Sequence, residues 1–161
     1  MNIRPATLRD LPRLLLLERA CPSAAHWTEQ HYREALNPQS AGPQRLILVV
    51  EAEPQASTSP QSNAAAITGF LVARHLAPEW ELENIVVAGH ARRQGTGQQL
   101  LGALLARAQQ ASSQSVFLEV RESNVPGRAL YEKAQFREAG RRKLYYSDPA
   151  EDAILYRRSL P

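Results

Sequence analysis

The sequence predicts an α/β (α+β) domain in which helices lie on the faces of one mixed sheet. Three observations carry this. The chain has 161 residues, about one domain's worth. It is 43% hydrophobic and 22% charged, ordinary for a soluble globular protein able to bury a core. Segments of two-residue and 3.6-residue apolar periodicity follow one another as β-α-α-β-β-β-α-β-α-β-β, with no internal repeat. Residues 1–161 are expected to form a single domain.

The elements follow in order. Asn2–Ala6 is a short strand. Thr7 is a candidate helix N-cap, with Asp10 three residues on, where a carboxylate suits the positive helix end. Leu11, Leu14, Leu15 and Leu17 then line one helical face. After the loop Cys21–Trp27, Thr28 caps a second helix that Asn37-Pro38 stops at Leu36. Leu46–Glu51 and Ile67–Arg74 are the strands of one hairpin. Between them Glu53–Ala66, rich in Pro, Ser, Gln and Ala without apolar periodicity, reads as a flexible insertion. Trp80–Val87 is a third long strand. Leu100, Leu101, Leu104, Leu105 and Ala108 mark a strong helix, and Ser115–Arg121 the next strand. Gly127–Ala134 is a short helix, and Ala139–Tyr146 with Ala153–Arg158 forms a closing hairpin.

Several classes fall away. Cys21 is the only cysteine, which excludes an intrachain disulfide or a cysteine-cluster zinc site and suits a reducing cytoplasm. His26, His31, His75 and His90 lack metal-ligand spacing, so no metal is expected. The longest apolar runs, Leu14–Leu17 and Leu46–Val50, are far short of a membrane span, and the N-terminus has no signal-peptide hydrophobic region. A net charge of +3 is too small to predict nucleic-acid binding, and with three phenylalanines and dispersed charge none is expected.

The most informative stretch is Arg92-Arg93-Gln94-Gly95-Thr96-Gly97, with Gln98 following, set between the strand end Ile85-Val86-Val87 and the amphipathic helix. Glycines there let the backbone approach a ligand and turn several N–H groups toward one point. The helix start adds unsatisfied donors and the positive end of its dipole. Two arginines add charge. An anion such as a pyrophosphate fits. The stretch is neither a P-loop nor a GxGxxG fingerprint, since the Gly-Lys-Ser/Thr ending and the third glycine are missing.

With Arg92, Gly95 and Gly97 matching its Arg/Gln-x-x-Gly-x-Gly/Ala pattern, the chain resembles the GNAT N-acetyltransferase superfamily. The resemblance runs from Ile3 to Leu160 and is densest from Leu82 to Tyr146. It implies a GNAT fold with a mixed, mostly antiparallel central sheet, and acetyl-CoA bound through its pyrophosphate by backbone amides of this loop.

A second block, Leu118-Glu119-Val120-Arg121-Glu122-Ser123-Asn124, precedes Ala129-Leu130-Tyr131-Glu132 and Phe136. It is similar to the ribosomal-protein-alanine N-acetyltransferases of that superfamily. The resemblance implies Glu119 as general base, Tyr131 as general acid and Asn124 as a cofactor contact. It also implies an oxyanion donor from the backbone around Val86 or Val87.

The chemistry agrees. An amine attacks a thioester only when neutral, so a carboxylate should take its proton, and a phenol can protonate the leaving thiolate. An α-amine, with a pKa of about 8 against about 10.4 for lysine, needs only a modest base. Glu81 and Glu83, on one face of their strand, are rivals for the base; Glu119 ranks first and Glu83 second. Each residue also has a plain reading: Glu119 on a solvated strand face, Tyr131 as a core aromatic, Asn124 as a turn or helix cap. Cys21 reads as a loop or core thiol.

Two departures from the family pattern stand out. Ala134-Gln135-Phe136 puts Gln135 where the pattern has a left-handed glycine, and Pro126-Gly127 is expected to shift the helix start by a residue.

The resemblance implies an acceptor site between the Cys21–Trp27 loop and the Leu144–Ala153 hairpin tip. There Trp27, Tyr145 and Tyr146 would pack on a peptide, and Glu151 or Asp152 would hold its ammonium. The basic cluster Arg137, Arg141, Arg142 and Lys143 reads as a solvated hairpin face, with the 3′-phosphate of CoA or an acidic partner as the other option. The expected activity is acetyl transfer to a protein N-terminal α-amine, that of a ribosomal protein included. Acetylation of a small-molecule amine or a lysine side chain, or non-catalytic CoA binding, are the alternatives.

Overall fold

The computed structural model describes residues 1–52 and 66–161. Strands β1 (Asn2–Pro5), β2 (Arg45–Glu51), β3 (Ile67–Leu76), β4 (Glu79–Val87), β5 (Ser115–Arg121), β6 (Arg137–Tyr146) and β7 (Glu151–Ser159) form one sheet. Its order is β1-β2-β3-β4-β5-β7-β6. Every neighbouring pair is antiparallel except β4 with β5. The mixed, mostly antiparallel sheet expected is therefore present. The expected insertion Glu53–Ala66 falls, apart from Ala66, outside the described residues. At its two ends the Ala52 N–H donates to the Ala66 carbonyl at 3.0 Å, so β2 and β3 meet as the hairpin expected.

Helices α1 (Leu11–Arg19) and α2 (Glu29–Leu36) cover one face of the sheet, and α3 (Thr96–Gln110) and α4 (Val125–Lys133) the other. The α3 periodicity translates directly into burial: Leu100, Leu101, Leu104, Leu105 and Ala108 all enter the core formed with Leu48, Leu71, Leu82 and Leu118. Burying such a side chain is worth about 1.5–3 kcal/mol, which anchors α3 against the sheet. Leu11, Leu14 and Leu17 of α1 pack with Tyr32 and Phe70 on the opposite face. Asp10 fixes the entry to α1. Its carboxylate accepts from the Thr7 N–H at 2.7 Å and from the Arg4 guanidinium at 2.8 and 2.9 Å.

Helix α4 begins at Val125, two residues earlier than expected, because Pro126 fits the first helical turn, where its missing N–H costs nothing. The Asn124 side chain caps it, accepting from the Gly127 N–H at 3.0 Å. At its far end Gln135 takes the left-handed conformation (φ 64°) although it is not glycine. The Phe136 N–H reaches back to the Tyr131 carbonyl and the Gln135 N–H to that of Glu132, so the turn closes as a Schellman motif. The left-handed position is thus kept without glycine.

Candidate active site

Strands β4 and β5 pair only over Glu79–Glu81 against Ser115–Phe117. The next residues of β4 carry a bulge: Ala73 faces Leu82 and Val72 faces Asn84, which leaves Glu83 as the extra residue. A bulge bends and twists its strand. From there the ends of β4 and β5 diverge, and a cleft of about 1620 Å³ opens between them.

One end of the cleft is the turn into α3. Arg93 (φ 60°) and Gly95 (φ 84°) are both left-handed, and Gly95 is the N-cap. Among the described residues, the backbone N–H groups of residues 93–98 make no fully formed hydrogen bond, although residues 92–95 close as turns; the Gln99 amide bonds to the Gly95 carbonyl. Donors left open at a helix N-terminus can receive an anion. Arg93 lines the cleft without an ion pair among the described residues, whereas Arg92 turns back to donate to the Val87 carbonyl at 3.0 Å and toward Cys21 Sγ at 3.6 Å. Arg92 thereby ties the end of β4 to the α1–α2 loop. Thr96 is buried with its hydroxyl on the Ala91 carbonyl, and Gln98 Nε2 donates to the Leu130 carbonyl, which seats α4 beside the turn.

The β4 residues divide by face. Ile85 and Val87 line the cleft, whereas Val86, expected at the cofactor, does not: its side chain is buried on the α1 side and it pairs with Phe70 of β3. Gln94 is also off the cleft wall, with its side-chain amide on the His90 carbonyl. Gly97 and Asn124 line the cleft, and Asn124 Nδ2 donates to no described residue.

Glu119 and Tyr131 face the same cleft. The Glu119 carboxylate accepts from Arg142 Nη1 at 3.0 and 3.2 Å. Tyr131 is 6% exposed, its ring packed edge-on against Phe136 and tilted against Tyr156. Burial, reinforced by the proximity of Tyr146, pushes the Tyr131 phenol well above its ordinary value, so it stays protonated near neutral pH. Tyr146 lines the cleft beside them and is pushed up to about 12 by burial and by the Glu119 charge.

Glu81 and Glu83 also line the cleft, and both have arginine partners. Arg74 Nε donates to Glu81 at 2.6 Å, while Arg45 grips Glu83 through two bonds at 2.8 and 3.1 Å. At the hairpin tip, Asp152 accepts from Arg141 and the Leu144 N–H, and Glu151 from Arg121 and the Ser123 N–H. These two carboxylates brace the rim. Trp27, Tyr145 and Tyr146 stand on it, with guanidinium groups of Arg45, Arg142 and Arg121 over their respective rings.

Sequence reasoning missed the Arg142–Glu119 pair because it depends on a register shift between Arg142 and Tyr146 in the β6–β7 pairing. It also passed over Lys133, which lines the cleft one helical turn beyond Leu130 and carries no ion pair among the described residues. Its spacing on α4 was the available signal. Among the described residues no cluster of His, Cys, Asp and Glu could hold a metal, and no described helix is long and apolar enough to cross a membrane.

The Acetyltransferase (GNAT) family model matches residues 11–136. The chain belongs to the GNAT family. An N-alpha-acetyltransferase of Sulfolobus acidocaldarius is 31% identical over 96% of this GNAT chain and 89% of its own length. A [ribosomal protein bS18]-alanine N-acetyltransferase of Haemophilus influenzae is 39% identical over 55% of this chain. That match spans 62% of the Haemophilus protein. The crystal structure of the ribosomal-protein-S18-alanine N-acetyltransferase from Escherichia coli superposes with a TM-score of 0.73. It is 27% identical and covers 98% of this GNAT chain and 92% of that one.

Proposed function

We propose that this chain is an acetyl-CoA-dependent N-acetyltransferase acting on the N-terminal α-amine of a protein. One observation supports the cofactor: the amides of residues 93–98, without a fully formed hydrogen bond among the described residues, lie at the α3 N-terminus, with Arg93 in the cleft wall. That donor set suits a pyrophosphate. Bound acetyl-CoA supplies the activated acyl group as a thioester. Asn124 Nδ2 and the backbone of Ile85–Val87 would hold its pantetheine arm in the gap between β4 and β5.

In this reading Glu119 accepts a proton from the acceptor's ammonium, directly or through water, and the neutral amine attacks the acetyl carbonyl. A backbone N–H near Val86 or Val87 stabilises the oxygen that becomes charged. Tyr131, held protonated by burial, donates to the departing sulfur. The carbon–sulfur bond breaks as the amide forms; the nitrogen sheds its second proton, through water, to the Tyr131 phenolate, and CoA leaves as the thiol.

The acceptor rim supports a peptide, since Trp27, Tyr145 and Tyr146 present aromatic surface on both sides of the cleft mouth. The acceptors named for the bacterial relatives are ribosomal-protein alanine termini, and we extend that substrate class to this chain. A cytoplasmic setting accords with it. The test is mass spectrometry after incubating acetyl-CoA with N-terminal peptides, the bS18 N-terminus included, and with N-terminally blocked lysine peptides. Acetyl on the α-nitrogen alone is expected. Turnover confined to lysine or to small amines would overturn the acceptor class, and absence of CoA binding by calorimetry the whole reading.

A further inference from the structure

Glu18, in the last turn of α1, is 3% exposed, and no step of the proposed chemistry uses it. Its Oε1 accepts two hydrogen bonds at 3.0 Å, one from the Trp27 backbone N–H and one from Asn84 Nδ2. Asn84 Oδ1 accepts the Ala25 backbone N–H at 3.2 Å, and its Nδ2 also reaches the Tyr32 hydroxyl. Glu18 Oε2 has no fully formed hydrogen bond among the described residues, although the Tyr32 hydroxyl lies against this carboxylate. A buried carboxylate so thinly satisfied lowers stability, so a role other than stability is the reason to look for.

The amides it controls supply that role. Residues 21–28 belong to no helix or strand, and Cys21–Trp27 form one wall of the cleft mouth. The N–H groups of Ala25 and Trp27 have no other partner among the described residues. They are drawn inward on either side of His26, which takes a left-handed conformation (φ 56°). The same two bonds seat the Trp27 ring against Tyr32, at 5.3 Å between centroids, under the Arg45 guanidinium. Asn84 is the first residue beyond the β4 bulge and precedes Ile85, so the acceptor wall and the donor strand share one fastening point.

We propose that Glu18 and Asn84 are positioning residues that fasten the acceptor wall to β4 and set the affinity for the acceptor peptide rather than for acetyl-CoA. This rests on the acetyltransferase reading. The donors that Glu18 meets are neutral, so hydrogen-bond acceptance is what matters, and a glutamine can supply it. A shift of about 1 Å between reacting groups can cost about 10²-fold, so a loosened wall is costly.

Amide hydrogen exchange and steady-state kinetics of Asn84→Ala, Glu18→Ala and Glu18→Gln test this together. In both alanine variants the Ala25 and Trp27 amides should exchange about tenfold faster, the loss of one hydrogen bond's worth of protection. The acceptor KM should rise about tenfold or more while the acetyl-CoA KM stays within about twofold. Glu18→Gln should restore both readouts. Unchanged exchange in Asn84→Ala, faster exchange with an unchanged acceptor KM, or an equal rise in both KM values would each overturn the proposal. If an alanine variant loses protection across the whole sheet, Asn84→Ser replaces it, with the same outcomes read. A wild-type protein that acetylates no amine would instead refute the acetyltransferase reading, whatever the exchange shows, and the acceptor role with it.

Discussion

Arg142 donates to both carboxylate oxygens of Glu119, at 3.0 and 3.2 Å, from a guanidinium 4.4 Å from the Tyr145 ring centroid. The candidate base is thus engaged by the exposed strand that also carries the aromatic rim. Under the proposed chemistry an incoming ammonium would compete with Arg142 for the same oxygens, which would link substrate entry to the base.

Glu119→Gln keeps an acceptor for Arg142 but cannot take a proton. A fall in kcat of about 10²–10⁴ is expected with CoA affinity unchanged, read by steady-state kinetics and calorimetry. An unaltered kcat would remove Glu119 from the chemistry and make Glu83 the next candidate, ahead of Glu81.

Tyr131→Phe deletes a hydroxyl that makes no hydrogen bond to a described residue and keeps the packing on Phe136 and Tyr156. The melting temperature should hold while kcat falls about 10²-fold. Loss of stability without loss of rate would make Tyr131 a core aromatic only.

Gly95→Ala isolates the backbone requirement of the anion turn. A Cβ there meets nothing within 4 Å, so its cost is the left-handed φ of 84°. Stability should fall by about 1–2 kcal/mol in denaturant titrations, with weaker CoA binding if the turn relaxes. An equally stable variant would show that the turn does not need that conformation.

Gln135→Gly runs the same argument in reverse. The left-handed strain at φ 64° disappears, offset in part by glycine's extra unfolded-state entropy. A net gain of about 0.5–1 kcal/mol is expected from chemical denaturation. A destabilised variant would mean that the Gln135 side chain contributes packing.

Asp10→Asn tests the α1 entry. Hydrogen bonding to Arg4, against burial, holds the Asp10 carboxyl below its ordinary 3.8. A depressed folded pKa stabilises fully above the unfolded value and is lost as pH falls through the folded one. The variant should be about 1–2 kcal/mol less stable near pH 7, and the gap should close below pH 3.8. A gap independent of pH would assign the loss to geometry rather than charge.

The limits of β5 follow from its own residues, and α3 from five apolar positions at helical spacing, because both signals are local. The two candidate blocks, Arg92–Gly97 and Glu119–Tyr131, are legible for the same reason. Edges are less so. Helix α4 starts at Val125 because Pro126 is accepted in the first turn, and β7 begins at Glu151 because pairing with Tyr146 extends it.

The sequence by itself determined the order of elements and the glycine-bearing turn before α3, and its local blocks carried the resemblance that names the acid–base candidates, since each rests on residues close together in the chain. Only the tertiary structure decided that β4 and β5 part at Glu83, that Arg142 engages Glu119, and that Glu18 and Asn84 hold the Cys21–Trp27 loop. Those depend on strand register and on burial between segments tens of residues apart, and neither is encoded in any local period.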